Sequence, residues 1–168
     1  MRSTFSRAFF PVVLLMLAAL LTIGTFFQAL TRQHLTEKAM EELKNDGTAI
    51  AQLASAYYTE GSLSRREFLV NLSLAADVSE ADAVIFDEKG HLVLCSDSPF
   101  SCEHQGWSID ADYVGKVLEN GTARNTGMFS GLYDDIRFVV SVPINDAKSG
   151  SPIGIVMVST PMAATLLI

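Results

Sequence analysis

The chain has 168 residues, of which 49% are hydrophobic, and a formal net charge of −7 at pH 7. All 19 acidic residues and 10 of the 12 basic ones follow residue 31, so this part of the chain carries a net charge of −9. An acidic surface disfavours nucleic acid and anionic lipid as binding partners. The roughly 135 residues of this part are enough for one domain with a real core, and too few for two.

A segment without charged residues lies between Arg7 and Arg32, and its centre, 9–30, is predominantly apolar. At about 1.5 Å per residue, a helix over 9–30 is roughly 33 Å long, which is enough to cross a membrane. The positive-inside rule predicts that residues 1–8 are cytoplasmic and that the chain from residue 31 onward lies outside. A cleaved signal peptide is the alternative. The uncleaved anchor is favoured because the apolar run exceeds the usual h-region and no small-x-small site follows it.

The anchor is expected to continue without a break into a helical segment over 33–58. Apolar residues recur there at steps of three and four, with charged residues on the opposite face. They include Leu35, Met40, Leu43, Ile50 and Tyr57. Gly47 is the weak point, where a kink is expected if there is one. By default this apolar stripe packs on its own domain; in a homodimer, the face of Leu35, Met40, Leu43 and Ile50 would meet its twin near the bilayer.

Two further helices and a hairpin follow. Ser64-Arg65-Arg66-Glu67 matches a capping box and predicts a second helix through Ala76. Two apolar segments, 83–86 and 91–96, flank a four-residue turn ending in glycine and predict a β-hairpin. After a loop over 97–108, Asp110 or Ser108 caps a short helix over 111–119, which ends at Asn120-Gly121.

Three more strands are predicted over 122–129, 137–143 and 153–159, separated by short polar turns. Five strands joined mostly by hairpins, with helices on one side, describe an α+β fold with an antiparallel sheet. The alternating pattern of a parallel nucleotide-binding fold is absent. The last residues, 161–168, are uncharged and mostly apolar, which predicts the start of a second membrane span. The alternative is a short C-terminal tail that packs on the domain.

The sequence contains no glycine-rich phosphate loop, no G-x-S-x-G elbow and no H-E-x-x-H motif. The three histidines are too dispersed for a metal cluster, so no metal site is expected. Because the catalytic motifs are missing, we expect neither an enzyme nor a bound cofactor. Cys95 and Cys102 are a candidate disulfide, because the predicted compartment is oxidising. The alternative is two unrelated thiols.

Five side chains are the candidate ligand-binding residues. Three are aromatic and two are arginines: Trp107, Phe129, Tyr133, Arg124 and Arg137. The arginines could clamp a carboxylate or a phosphate. On the alternative interpretation, the aromatic rings fill a small core and the arginines pair with nearby acids.

Two stretches carry a family resemblance. The segment 84–97 (VIFDEKGHLVLCSD) resembles the central hairpin of extracytoplasmic PAS-like (Cache, or PDC) sensor domains. The stretch 138–161 is similar to the last strands of those domains in membrane-bound bacterial sensor histidine kinases. There, a strand ending in Val-Pro-Ile, a polar turn and Ile-Gly-x-Val lead into a second membrane helix. Here these positions are Val142-Pro143-Ile144 and Ile153-Gly154-Ile155-Val156.

The resemblance implies a cytoplasmic tail (1–8), a transmembrane helix (9–30), a PAS-like five-stranded sensor domain (31–160) and the start of a second span (161–168). It implies an extracytoplasmic input region of a sensor histidine kinase, homodimeric and embedded in the cell membrane, that detects an unknown small-molecule or cell-envelope ligand. No phosphoacceptor-histidine region or kinase core is present in this sequence. The alternative is a membrane-anchored binding or adaptor module without kinase output; a small anchored hydrolase is disfavoured by the missing motifs.

Overall fold

The computed structural model describes residues 4–60, 65–96, 104, 106–129 and 132–163. The chain divides into two compact units, Met1–Glu37 and Lys38–Ile168. The first helix, α1 (Thr4–Ser55), is continuous and contributes to both. The predicted unbroken passage from the apolar segment into the following helix is therefore confirmed.

The first unit is helical, and its large apolar side chains are exposed. Leu14, Leu21 and Phe27 are 62%, 69% and 70% exposed. The hydroxyl of Thr22 donates to the carbonyl of Ala18 within the helix, at 3.1 Å, so this polar group needs no water. Among the described residues, one helix (Phe9–Thr59) is long and apolar enough to cross a membrane, with a mean hydropathy of 2.4 in its apolar part.

The second unit contains the predicted succession of helices and strands. After α1 come a π-helical turn (Ala56–Glu60), α2 (Arg65–Val78), β1 (Asp82–Asp87), β2 (Leu92–Cys95), α3 (Ala111–Asn120), β3 (Ala123–Gly127), β4 (Arg137–Asn145) and β5 (Pro152–Pro161). The α+β fold class is confirmed. The predicted helix over 33–58 differs at its end, because α1 stops at Ser55 and passes into the π-helical turn.

The five strands form one antiparallel sheet in the order β2-β1-β5-β4-β3. The last of the described strands, β5, is therefore the central one. It pairs with β1, where Asp82 lies opposite Ser159, and with β4, where Arg137 lies opposite Pro161.

Helices cover both faces of this sheet, so the expectation of helices on one side was wrong. Residues of α1 and α2 pack on one face, which includes Ile85, Val140 and Val158. Residues of α3 pack on the other face, which includes Val84 and Met157. The reason is visible in the three inner strands, where successive residues are buried instead of alternate ones, as in sheets that are covered on both faces.

The apolar stripe of α1 packs on its own sheet. Met40, Leu43 and Ile50 are 7%, 4% and 2% exposed and belong to the core under this face. These three residues are thus unavailable as the dimer face that the homodimer alternative predicted. Gly47 marks a close approach, because a Cβ there would lie 3.1 Å from a Val142 methyl carbon. A kink at this residue remains a prediction.

Local signals placed two of the elements correctly. The N-cap of α3 is Asp110, whose side chain accepts a hydrogen bond from the amide of Asp112 at 2.9 Å, and Gly121 ends the helix with φ 78°. In the β1–β2 turn, Asp87 accepts from the amides of Lys89 and His91, at 2.9 and 2.8 Å. Side-chain acceptors that satisfy free amides are the usual reason for such sequence preferences.

Three predictions fall partly or wholly outside the described residues. They concern Ser64 of the capping box, Cys102 of the disulfide and residues 164–168 of the second span. Cys95 ends β2 and is buried, with 3% exposure. All three remain predictions.

Candidate functional site

The sheet separates the five candidate ligand-binding residues. Arg124 of β3 lies opposite Val140, on the face that α1 covers, and its guanidinium pairs with Glu41 of α1 at 2.6 Å. The other four lie with the elements of the α3 face: Trp107, Phe129 and Tyr133 pack in its core, and Arg137 contacts Tyr133. The two arginines are therefore on opposite faces and do not clamp one anion together.

Aromatic rings form two groups on the α3 face. The His104 ring stands edge-on to Trp107, with 5.0 Å between the ring centroids, and 6.1 Å from Tyr133. The Phe129 ring stands edge-on to Tyr113 of α3 at 5.1 Å. Edge-to-face packing at these distances is favourable.

Neutral polar groups lie beside these rings. The hydroxyl of Tyr113 is 2.8 Å from the hydroxyl of Ser141 in β4, and it accepts a hydrogen bond from the Asn125 amide of β3 at 3.0 Å. Ser141 is fully buried. Burial raises the pKa of Tyr113, against the opposing effect of the hydrogen bonds to Ser141 and Asn125, so its hydroxyl stays protonated at neutral pH.

We call Trp107, Tyr113, Asn125, Phe129, Tyr133 and Ser141 the α3-face site. Three of its members, Tyr113, Asn125 and Ser141, are missing from the sequence-based candidates. A signal existed for Ser141, because it is a lone hydroxyl inside an apolar strand and a buried hydroxyl requires a partner. No comparable signal marked Tyr113 or Asn125, whose proximity depends on the docking of α3.

Arg137 lies at the first residue of β4 and is surrounded by acids. Its guanidinium bonds to Asp82 through Nη1 and to Asp135 through Nε, the latter at 2.9 Å. Nη1 also donates to the hydroxyl of Ser159 at 2.9 Å, and the guanidinium carbon lies 4.1 Å from the centre of the Tyr133 ring. Burial lowers the pKa of Arg137, but the bond to Asp82 and its charge outweigh burial and raise it. The guanidinium is thus charged, its charge is balanced by the carboxylates of Asp82 and Asp135, and its hydrogen bonds hold it in place.

The α3-face site offers aromatic surfaces and neutral hydrogen-bonding groups, which suit a small organic molecule. Both candidate arginines are already paired with carboxylates, as the alternative interpretation expects. Whether any of these residues contacts a ligand remains a prediction.

No protein-family model matches the sequence, and no curated protein matches it. Solved structures do match. An extracellular ligand-binding receptor from Desulfohalobium retbaense is 19% identical, with a TM-score of 0.61, over 79% of this chain and 24% of that one. The sensor domain of the histidine kinase DctB from Vibrio cholerae is 14% identical, with a TM-score of 0.53, over 80% and 59% of the two chains.

A third match is the ligand-binding domain of the chemoreceptor Tlp3 from Campylobacter jejuni, in complex with L-valine. It is 13% identical, with a TM-score of 0.50, over 80% of this chain and 60% of that one. The chain thus spans between a quarter and three fifths of these three proteins. The predicted resemblance to extracytoplasmic PAS-like (Cache) sensor domains is confirmed at the level of the fold.

Proposed function

We propose that this chain is the extracytoplasmic sensory input region of a bacterial transmembrane receptor of the histidine kinase type. The carrying observation is the sensor-domain fold, entered by a helix that is continuous with the apolar segment over 9–30. In this proposal the apolar segment anchors the chain in the cell membrane and the sheet lies outside the cytoplasm. The chain itself catalyses nothing, and its output is a shift in the membrane helices of a homodimer.

In the proposed mechanism, a small molecule binds at the α3-face site, stacks on its rings and bonds to the amide of Asn125. Support comes from the rings and neutral polar groups that meet there. Trp107 is the only tryptophan of the chain, so its emission is a direct reporter of this site.

The test is a titration of the full chain in nanodiscs, followed by Trp107 emission, with L-valine and with succinate as the first probes. A panel of other amino acids, carboxylates and cell-wall fragments follows. We expect a saturable change with at least one compound, abolished by Asn125→Ala and kept by Val93→Ala, which alters an exposed strand residue. A complete panel without a saturable response would contradict ligand sensing and favour the anchored adaptor.

A chemoreceptor is the second candidate, because one of the matched sensor domains belongs to that class. The reading frame downstream of codon 168 discriminates between the two. A phosphoacceptor-histidine region followed by ATP-binding glycines supports the kinase type, and long methylation-type helices support the chemoreceptor. A stop codon there would favour the membrane-anchored binding module.

A further inference from the structure

Arg137 joins segments that are far apart in the sequence. It contacts Asp82 at the start of β1, Ser159 near the end of β5, and both Tyr133 and Asp135 in the segment 132–136, which precedes β4. The sheet register explains the meeting, because the start of β4, the start of β1 and the end of β5 all lie at the same end of the sheet.

The contacts of this arginine depend on one another. Its side chain is 11% exposed, so its charge relies on the two carboxylates and on the Tyr133 ring instead of water. The guanidinium is planar, with donors in a fixed fork, so a rotation that suits one partner misaligns the others. A displacement of Tyr133 therefore costs free energy unless Arg137 and Ser159 adjust as well.

The same residue lies between the α3-face site and the end of β5. On one side, Tyr133 contacts the His104 ring, which contacts Trp107. On the other side, Arg137 lies opposite Pro161, and the next amide, that of Met162, donates to the carbonyl of Ile136 at 2.9 Å. The end of β5 is where the chain leaves the sheet.

We propose that Arg137 is a positioning residue that couples the Tyr133 side of the α3-face site to the end of β5. When Tyr133 moves, Arg137 transmits the change to Ser159 and to the hydrogen bond between Met162 and Ile136. The purpose of this coupling rests on the proposed sensory function. The coupling itself is a property of the chain without ligand and can be measured without one.

The test measures hydrogen exchange at the Met162 amide in the full chain in nanodiscs. Tyr133→Leu removes the ring over the guanidinium, and we expect exchange to become about tenfold faster. The matched control Tyr133→Phe keeps the ring and should change the rate by less than about twofold. In an Arg137→Met chain, Tyr133→Leu should cause no further acceleration, because the coupling element is already gone.

The reverse direction uses Trp107 as the reporter. Ser159→Ala should shift its emission in the wild-type chain and leave it unchanged in the Arg137→Met chain. An equal effect of Tyr133→Leu or of Ser159→Ala in both backgrounds would overturn the proposal, as would no effect in the wild type. If Arg137→Met fails to fold, Arg137→Lys replaces it, since it keeps the charge but lacks the planar fork, and the same loss of coupling is expected.

A second pair of variants probes the segment 132–136, and each variant removes one negative charge. Asp135→Asn weakens the Nε contact, whereas Asp134→Asn alters the neighbouring exposed acid. We expect only Asp135→Asn to shift Trp107 emission, and equal shifts from both would contradict the proposal. Failure of the ligand titration leaves these rates unaffected, so the coupling and the sensory function fail separately.

Discussion

Two glycines show how much the local environment decides the effect of an added methyl group. Gly90 has φ 83°, and a Cβ there would lie 2.4 Å from the carbonyl oxygen of Ile109. Gly115 lies in α3 and has no atom within 4 Å of the equivalent position. We predict that Gly90→Ala lowers the free energy of unfolding by about 2 kcal/mol or more, because left-handed strain and a backbone clash combine.

The matched variant Gly115→Ala should raise that free energy by up to about 1 kcal/mol, through helix propensity alone. Urea denaturation of both variants, followed by circular dichroism, measures the two changes. Equal effects from the two substitutions would mean that the close approach between Gly90 and Ile109 does not exist in solution.

The ion pair between Glu41 and Arg124 predicts a dependence of stability on pH. Hydrogen bonds from Arg124 and Lys44 lower the pKa of Glu41 below its ordinary value of 4.5. A lowered pKa in the folded state means that the unfolded chain binds the proton more readily. This contribution is therefore complete above about pH 4.5 and is lost as the pH falls through the lowered pKa.

Melting temperatures at pH 6 and pH 3.5 test this prediction. The loss on acidification should be smaller in Glu41→Gln than in the wild type, and Arg124→Gln should reproduce that reduction. The effect is small, because the pair is exposed. An unchanged pH dependence in Glu41→Gln would mean that the ion pair between Glu41 and Arg124 does not help to hold α1 on the sheet.

The contacts of Arg124 and Arg137 could be predicted only in part from the sequence. The sequence supplied the residue types and an excess of acids, and both arginines are indeed paired with acids. The face of the sheet on which each arginine lies depends on the strand register, because a shift by one residue moves a side chain to the other face. Arg124 lies opposite Val140, on the face that α1 covers, whereas Arg137, three residues before Val140, lies on the α3 face. No composition argument supplies this relation.

At the level of elements, the packing of α1 gives the sharpest prediction. Leu43 is 4% exposed in the core under α1, whereas its neighbour Glu42 is exposed and pairs only with Lys38, at 3.6 Å, among its described contacts. We predict that Leu43→Ala lowers the free energy of unfolding by about 2–5 kcal/mol, and Glu42→Ala by less than about 1 kcal/mol. Chemical denaturation of the full chain in detergent provides the measurement.

The same variants discriminate between the two predicted uses of the apolar stripe. Contact with a second chain would make the effect of Leu43→Ala depend on protein concentration, whereas packing on its own sheet makes it independent of concentration. A strong concentration dependence would contradict the structure described here.

The helices and strands were largely predictable, whereas the order of the strands in the sheet was not. Short polar turns and the caps at Asp110 and Gly121 are local signals, and the structure contains the helices and strands that these signals delimit. The covering of the second face was signalled by the unbroken apolar runs of β1, β4 and β5, which the expectation of helices on one side did not use. The strand order has no such local signal, because it depends on which strands pair across long distances in the sequence.

For the whole molecule, the proposed orientation can be tested in intact cells. Lys148 lies in the exposed turn between β4 and β5, and Ser3 precedes the apolar segment. In a chain with Cys95→Ser and Cys102→Ser, we expect Lys148→Cys to react with a membrane-impermeant maleimide. Ser3→Cys should react only after permeabilisation. Reaction of both in intact cells, or the reverse pattern, would contradict the proposed topology.

The central place of β5 has a consequence for how the chain is made. During synthesis all residues of the β1–β2 and β3–β4 hairpins are made before residues 152–161 exist, and yet no strand pairing joins the two hairpins, because β1 and β4 each pair with β5 and not with each other. Until then both halves present open strand edges, which invite pairing with other chains. The sheet is therefore complete only once β5 is present, and we expect a chain interrupted before residue 152 to leave two aggregation-prone hairpins instead of a smaller stable domain.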